Sequence, residues 1–336
     1  MKTITKIIAA VFALTILSCS KESENVAPKV ITDFPVIEVE ADIDAPVVEV
    51  PDADVPDTKL YGAVDGTTHS VYWKAGDQIS QFCIVNVPGT SGLEVGDVIN
   101  FSNLRSTLKD GDGTKTFTMP IPDLKTLYGA SSGLNTCLCA IYPATTLDVT
   151  VTSGTATQIN ATATPVTPLT IPDVQDGTGW KYSIFMARSA TFSAQYNNPT
   201  GNGKSTFTLK SVVLRLKLNT TKNITKVVLS NTTGFMTGNV TKLALNSFHY
   251  AADAYKNLTI SEGCSGKTLT VETGGVLPND LYFAIREVRE GTTFTFTFTA
   301  EDGTTTTRSF SNPAGYDNRK MRGVYSLGTI TLNDWS

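Results

Sequence analysis

The sequence has few histidines, cysteines and charged residues, and each shortage argues against a class of function. The 336 residues include two histidines, His69 and His249, and five scattered cysteines, which argues against zinc sites and most Ser–His or Cys–His catalysis. Cys137 and Cys139 stand two apart in an apolar run, so we expect both to be buried on one face of a strand. The net charge of −4 lacks the basic surface that nucleic acids require, so we expect no nucleic-acid partner.

A convincing helical repeat is also missing after the first eighteen residues, and short alternating segments take its place. In residues 293–300 phenylalanine and threonine alternate, which is typical of a strand with one face in a core and one in water. Residues 301–303 (Glu-Asp-Gly) then predict a tight turn into another strand. Strand patterns of this kind recur along the chain between turn residues, and we therefore predict an all-β fold.

The first eighteen residues are typical of a bacterial export signal. Two lysines precede an apolar run, residues 7–17, which is shorter than the roughly 20 residues of a membrane-spanning helix. Ser18 and Cys19 follow, and this ending resembles a lipobox. We therefore expect residues 1–18 to be a lipoprotein signal peptide, cleaved between Ser18 and Cys19, with Cys19 lipidated and the protein anchored in the outer membrane at the cell surface.

The residues after Cys19 carry a second address signal. Lys21, Glu22 and Glu24 resemble the surface-export signal of lipoproteins in some anaerobic Gram-negative bacteria. The alternative is that they form only a polar tether.

Residues 19–57 differ in composition from the rest of the chain. They are acidic and rich in proline, which breaks every helical option. Two fragments, residues 36–40 and 47–50, still alternate like strands. Two interpretations remain open: an extended acidic spacer above the membrane, or a removable strand in which one fragment pairs with the first domain.

The remaining chain divides by composition into two strand-rich halves. Residues 197–203 are rich in Asn, Gly and Pro and are the best candidate for a linker. We therefore predict an N-terminal β-sandwich over residues 58–203 and a C-terminal β-sandwich over residues 204–336, each with its own core. Val212 and Val213 break the alternation of the preceding strand, which suggests a bulge.

Several motifs, in this order behind a lipobox, resemble the fimbrillin family of type V pilus subunits. The first is Trp73, Gly76, Asp77 and Ile79, which is similar to the "W-x-x-G-D-x-I" signature near the start of those proteins. The others are the Tyr142–Pro143 strand end, residues 181–187, residues 206–218 and the closing "G-x-Y-x-L" of residues 323–327.

This resemblance implies two tandem Greek-key, transthyretin-like β-sandwiches and a role in fimbriae and cell adhesion. In that family an Arg-specific protease removes an N-terminal strand from a lipidated precursor, and the groove then accepts a strand from the next subunit. The implied partners are other fimbrial subunits by strand addition, the outer membrane through the lipid, and a host or bacterial surface receptor.

Two departures from the family pattern favour a tip or accessory subunit over a stalk subunit. No arginine precedes Arg105, and Lys59 is the basic residue at which processing would separate the tether from the domains. Only residues 333–336 follow the closing strand, so no free donor segment is visible, although the closing strands themselves could be released.

We expect no enzyme, no catalytic residue, no metal and no cofactor. Residues 110–114 begin like a calcium loop, but Lys115 and Ile121 stand where glycine and a bidentate glutamate belong.

Two other functions remain open besides a fimbrial component. The first alternative is a surface lipoprotein that binds a glycan or host protein without polymerising, and the second is a hydrolase on a β-sandwich. Exposed aromatic rings would favour glycan binding, and the candidates are Trp180, Tyr182, Tyr250, Tyr255 and Trp335.

Overall fold

The fold is all-β, as predicted, in a computed structural model that describes residues 36–44, 61–65, 68–72, 76–87, 92–102, 106–107, 116–128, 135–155, 158–188, 191–193, 198–200, 205–245, 258–289, 291–311 and 324–336. Within these residues the strands are interrupted by a short helix, α1 (Leu124–Tyr128), and one 3-10 turn (Trp180–Tyr182). No helix in the described part of the chain has the length and apolar character needed to cross a membrane.

The strands are β1 (Val36–Asp44), β2 (Tyr61–Asp65), β3 (Thr68–Tyr72), β4 (Gln78–Val87), β5 (Val98–Asn100), β6 (Ser106–Thr107), β7 (Thr116–Pro122), β8 (Asn135–Tyr142), β9 (Leu147–Thr155), β10 (Gln158–Pro165), β11 (Leu169–Ile171), β12 (Val174–Gln175), β13 (Phe185–Arg188), β14 (Thr191–Ser193), β15 (Asn198–Thr200), β16 (Ser205–Leu209), β17 (Val212–Thr220), β18 (Ile224–Asn231), β19 (Gly238–Leu245), β20 (Leu258–Gly263), β21 (Thr268–Glu272), β22 (Asp280–Ile285), β23 (Thr293–Ala300), β24 (Thr305–Ser311) and β25 (Val324–Leu332).

The first sandwich contains the largest sheet. Its strands run in the order β15-β14-β8-β13-β16-β1-β7, with β4 beside β8 and with β5 and β6 beside β4. A second sheet, β11-β19-β10-β9 with β20 beside β19, faces it. The shared core is formed by buried residues from both sheets, among them Phe82, Ile141, Met186, Ala163 and Leu243.

The second sandwich packs the sheet β12-β21-β18-β23-β24 against the sheet β22-β17-β25. Its core includes Leu214, Leu216, Leu229, Phe283 and Phe296. In β23 the phenylalanines are buried and the intervening threonines are partly exposed, which confirms the alternation predicted from the sequence. The predicted turn between β23 and β24 is also present, with Gly303 at a positive φ of 83°.

Strand pairing crosses the predicted boundary between residues 203 and 204. From the second half, β16, β19 and β20 join the sheets of the first sandwich, whereas β12 from the first half pairs with β21 in the second sandwich. The predicted linker region contains β15, which pairs with β14. The sheets are therefore not divided at residue 203, and the boundary stays a proposal about which parts fold on their own.

A buried glutamine connects the two sheets of the second sandwich to each other. The Gln175 side-chain amide donates to the Ala284 carbonyl at 2.7 Å and accepts from the Ala284 N–H at 2.9 Å, as the backbone of a neighbouring strand would. The Tyr282 N–H donates to the Gly177 carbonyl at 2.7 Å. These contacts satisfy backbone groups on one edge of β22, a strand of the second sandwich, with a segment from the first half of the chain.

One nearly continuous stretch of chain connects the sheets. It leaves the first sandwich as β16, passes through Lys210 and Ser211, and enters the second sandwich as β17. The N–H groups of Lys210 and Ser211 both donate to the Ile184 carbonyl, at 2.7 and 3.4 Å. The change of phase seen in the sequence at Val212 and Val213 thus marks the point at which the chain moves from one sheet to the other.

We predict that Leu216→Asp destabilises the second sandwich by several kcal/mol, because Leu216 is fully buried in its core and a carboxylate there would have no partner. The matched control is Asn219→Asp, which introduces the same charge at an exposed position of the same strand. Chemical denaturation measures both. Equal unfolding midpoints for the two variants would show that β17 does not contribute to this core.

Candidate functional site

The structure describes one of the site features predicted from the sequence, the fragment 36–40, and none of the others discussed next. Ser18, Cys19, Lys21, Glu22 and Glu24 lie outside the described residues, so their predicted roles stay predictions. Lys59 and the fragment 47–50 also lie outside them. The fragment 36–40 lies within β1 and pairs with β7, as the strand interpretation expects, and its removal stays a prediction.

β1 fills a position inside the large sheet of the first sandwich. On one side it runs antiparallel to β7, and all seven residues of β7 have a partner in β1. On the other side its second half runs parallel to β16, from the pair Ala41–Ser205 to the pair Asp44–Thr208. A segment from the N-terminal tether therefore lies between two strands that come much later in the sequence.

The register places the alternation of β1 in phase with buried residues of its neighbours. Ile37 pairs with Ile121, and Ile43 pairs with Phe207; Ile121 and Phe207 are 1% and 0% exposed. Paired residues of adjacent strands share a face of the sheet, so positions 37, 39, 41 and 43 of β1 fall on the face that carries these two side chains. The acidic positions of β1 fall on the opposite face.

Removal of β1 would leave a gap rather than a shorter sheet. In the described residues β7 has no other strand partner, and β16 would keep only its pairing with β13. Backbone N–H and C=O groups along both walls of the gap would lose their partners, and apolar surface beside Phe207 would face water. Such a gap is a binding site for an extended strand with apolar residues at alternate positions.

Two of the sequence motifs meet close to this site. The Asp77 carboxylate is 1% exposed and accepts a long hydrogen bond of 3.4 Å from the Tyr142 hydroxyl. Burial, together with the nearby Asp77 charge, raises the pKa of Tyr142 well above its usual value. The Tyr142 ring packs edge to face on Phe185, with ring centroids 6.4 Å apart. Phe185 pairs with Leu209 of β16, so these motif residues support the strand that forms one wall of the site.

The backbone angle at position 76 explains why a glycine precedes Asp77. Its φ of 91° lies in the left-handed region that side chains disfavour. Glycine therefore allows the turn that delivers Asp77 to the start of β4.

The described cysteines are buried and free of disulfides. Cys137 and Cys139 lie in the first core with their sulfur atoms 3.9 Å apart, which confirms the prediction that they share a face. Burial, the largest cause, raises the pKa of Cys264 to about 11, and burial also raises the pKa of Cys83. A protonated, buried thiol is a packing group, not a nucleophile.

The described residues provide neither a metal site nor the aromatic platform considered for glycans. No group of three or more His, Cys, Asp and Glu side chains in this part of the chain is placed to hold a metal ion. Of the five aromatic candidates, Tyr182 packs against the first core and Trp335 against the second. Tyr250 and Tyr255, like the Trp180 side chain, fall outside what the structure describes.

The chain resembles solved structures but matches no family model and no curated protein. A Bacteroides ovatus protein provisionally named for cell adhesion has 14% identity and a TM-score of 0.44, with 90% of this chain and 95% of that chain covered. A Bacteroides uniformis protein of the same provisional name has 15% identity and a TM-score of 0.38, with 79% and 90% covered. A truncated form of the tip fimbrial protein Mfa3 from Porphyromonas gingivalis has 10% identity and a TM-score of 0.31, with 84% and 83% covered.

Similarity at such low identity transfers no activity or partner, so the function of this chain has to be argued from its own residues.

We predict that Ile43→Asp loosens β1, because it places a charge at the register position of the buried Phe207. The free energy of unfolding should fall by about 2 kcal/mol or more. Amide hydrogen exchange should become faster in residues 116–122 and 205–209. Asp42→Asn, one residue away on the opposite face, is the control and should leave exchange unchanged. If both variants exchange like the wild type, β1 does not hold these walls together.

Proposed function

We propose that this chain is a fimbrial component of the bacterial cell surface, a tip or accessory subunit in cell adhesion that is assembled by strand addition at the β1 position. One observation carries the proposal: a strand from the N-terminal tether is the middle strand between β7 and β16. A tether that served only as a spacer is not expected to complete a sheet.

The order of features along the chain supports a two-step assembly. Cys19 comes first, then β1, then Lys59, then all the other strands. Cleavage after Lys59 would leave the domains attached to the lipidated peptide only through the pairing of β1. The intramolecular strand would lose its effective concentration, which is in the millimolar range for short flexible linkers, and a strand from another subunit could then compete for the site.

The energetics favour exchange over an empty site. A buried polar group left without a partner costs about 1–3 kcal/mol, and β7 and β16 would expose many such groups together. An incoming strand restores the hydrogen bonds of both walls and covers the apolar surface near Ile121 and Phe207. Specificity would come from the phase of its apolar residues, because a shift of one residue would place polar side chains on the face that carries Ile121 and Phe207.

We further propose that Cys19 carries the lipid anchor and that Lys21, Glu22 and Glu24 direct the lipoprotein to the outer face of the outer membrane. The partners would then be the membrane before processing, other fimbrial subunits after it, and a surface receptor. The proposal includes no cofactor and no catalytic residue.

A surface lipoprotein that binds a glycan or host protein without polymerising is the alternative. It is favoured by the fact that β1 already completes the sheet within its own chain. In that case β1 would never leave its place, and strand uptake separates the two functions.

We predict that a chain beginning at residue 60 takes up a synthetic peptide of residues 34–46 with 1:1 stoichiometry, because the peptide restores both ladders of β1. A peptide with Ile37→Asp and Val39→Asp keeps the length but removes the apolar phase, and it should bind at least about tenfold more weakly. Fluorescence anisotropy measures both.

The same truncated chain should bind the C-terminal strand of another fimbrial subunit as a 1:1 complex without fibres. Long homopolymers in electron micrographs would contradict the tip or accessory role. A stable truncated monomer that takes up neither the peptide nor a partner strand would contradict strand addition and leave the alternative function.

We predict that Cys19→Ala abolishes lipid labelling and removes the protein from the outer-membrane fraction, because the thiol is the acceptor of the lipid. Ser20→Ala, which leaves the thiol and the residue before it intact, should behave like the wild type. Metabolic labelling with a radioactive fatty acid and membrane fractionation measure the outcome. A Cys19→Ala protein that stays in the outer membrane at the wild-type level would refute the anchor.

A further inference from the structure

The last residues of the chain connect the two sheets of the second sandwich. β25 pairs in parallel with β17, and Ile330 and Leu332 are buried in the core. Residues 333–336, here named the clasp, then cross to the opposite sheet. The Thr305 N–H donates to the Ser336 main-chain oxygen at 2.9 Å, and the Ser336 N–H donates to the Thr305 carbonyl at 3.0 Å. This mutual pair is the arrangement of two residues in neighbouring antiparallel strands.

Side chains reinforce the clasp on both sides of this pair. The Asp334 carboxylate lies 3.3 Å from the Arg308 guanidinium of β24. The Trp335 ring packs against the core, and the Lys222 ammonium lies 5.1 Å from the ring centroid, within the range of a cation–π contact.

The turn that precedes β24 holds the Lys222 side chain in place. Its ammonium donates to the Asp302 carboxylate and to the Thr304 hydroxyl, each at 2.7 Å. Hydrogen bonds from Lys222 and Thr304 hold the pKa of Asp302 below its usual value, so the Asp302 carboxylate stays charged through mildly acidic pH. The Trp335 ring is therefore held between the core and an anchored cation.

We propose that the clasp locks β25 into its own chain and so prevents this subunit from giving its C-terminal strand to a neighbour. The inference rests on the proposed strand-addition function. To leave, β25 would have to break its ladder with β17, withdraw Ile330 and Leu332 from the core, and release the clasp from the opposite sheet in the same event. A strand held in one sheet alone could peel away from its edge one residue pair at a time.

Three variants of the full chain test the clasp. Deletion of residues 333–336 and Trp335→Ala both remove the packing of the ring, and amide exchange in residues 324–332 should become about tenfold faster in each. Trp335→Phe is the matched control. The indole Nε1 is buried with no hydrogen-bond partner among the described atoms, so a phenyl ring keeps an aromatic group in this place and loses no hydrogen bond.

Exchange in residues 224–231 reports whether the rest of the second sandwich stays folded. Protection there, with fast exchange in residues 324–332, supports the clasp. If the deletion variant loses protection in both segments, the whole sandwich has unfolded, and exchange in residues 324–332 of Trp335→Ala decides instead. Wild-type exchange in residues 324–332 for Trp335→Ala, or exchange in Trp335→Phe as fast as in Trp335→Ala, overturns the clasp.

Failure of the clasp and failure of strand addition give different results. The deletion variant is mixed with the chain that begins at residue 60, whose β1 site is vacant. Fast exchange of β25 together with capture in a mixed complex supports both proposals. Fast exchange without capture supports the clasp and contradicts strand acceptance. Slow exchange overturns the clasp whatever the truncated chain binds.

Discussion

A strand inside a sheet must be hydrogen-bonded on both edges, and this constraint governs the first sandwich. β1 is paired to β7 on one edge and to β16 on the other, so it cannot leave without exposing two ladders at once. The same constraint makes a vacant site unfavourable in water, because its backbone groups lose their partners. A segment that arrives from the tether and fills such a place is a replaceable part of the sheet, and the proposed processing and strand exchange follow from that position.

The two ends of the described chain are held in opposite ways. β1 and β25 each run parallel to one part of the same stretch of chain, β16 and β17. β1 is held by ladders on both edges, and cleavage of the tether at Lys59 would turn it into a peptide that can dissociate. β25 is held by one ladder, by its buried side chains and by the clasp. This asymmetry is the physical basis for a subunit that accepts a strand and keeps its own.

Local patterns in the sequence predict the strands but not their partners. The alternation of Phe294, Phe296 and Phe298 fixes the faces of β23, and the alternation of residues 36–40 marks a strand in the tether. Pairing of Ile37 with Ile121 and of Ile43 with Phe207 is not local, and no repeat in the sequence records it. The exchange of β12, β16, β19 and β20 between the halves is equally non-local, and the sequence did not predict it. Composition favoured residues 197–203 as a linker because they are rich in turn residues. The structure places β15 within this range, beside β14, since such residues also occur in short strands.

The state of the chain in assembled fimbriae distinguishes strand exchange from a β1 that stays in place. Mass spectrometry of the protein isolated from surface fimbriae gives its N-terminal residue and shows whether a lipid is attached. Strand exchange predicts a chain that begins after Lys59 and lacks both β1 and the lipid. An assembled subunit that still begins at a lipidated Cys19 and retains residues 36–44 would contradict it.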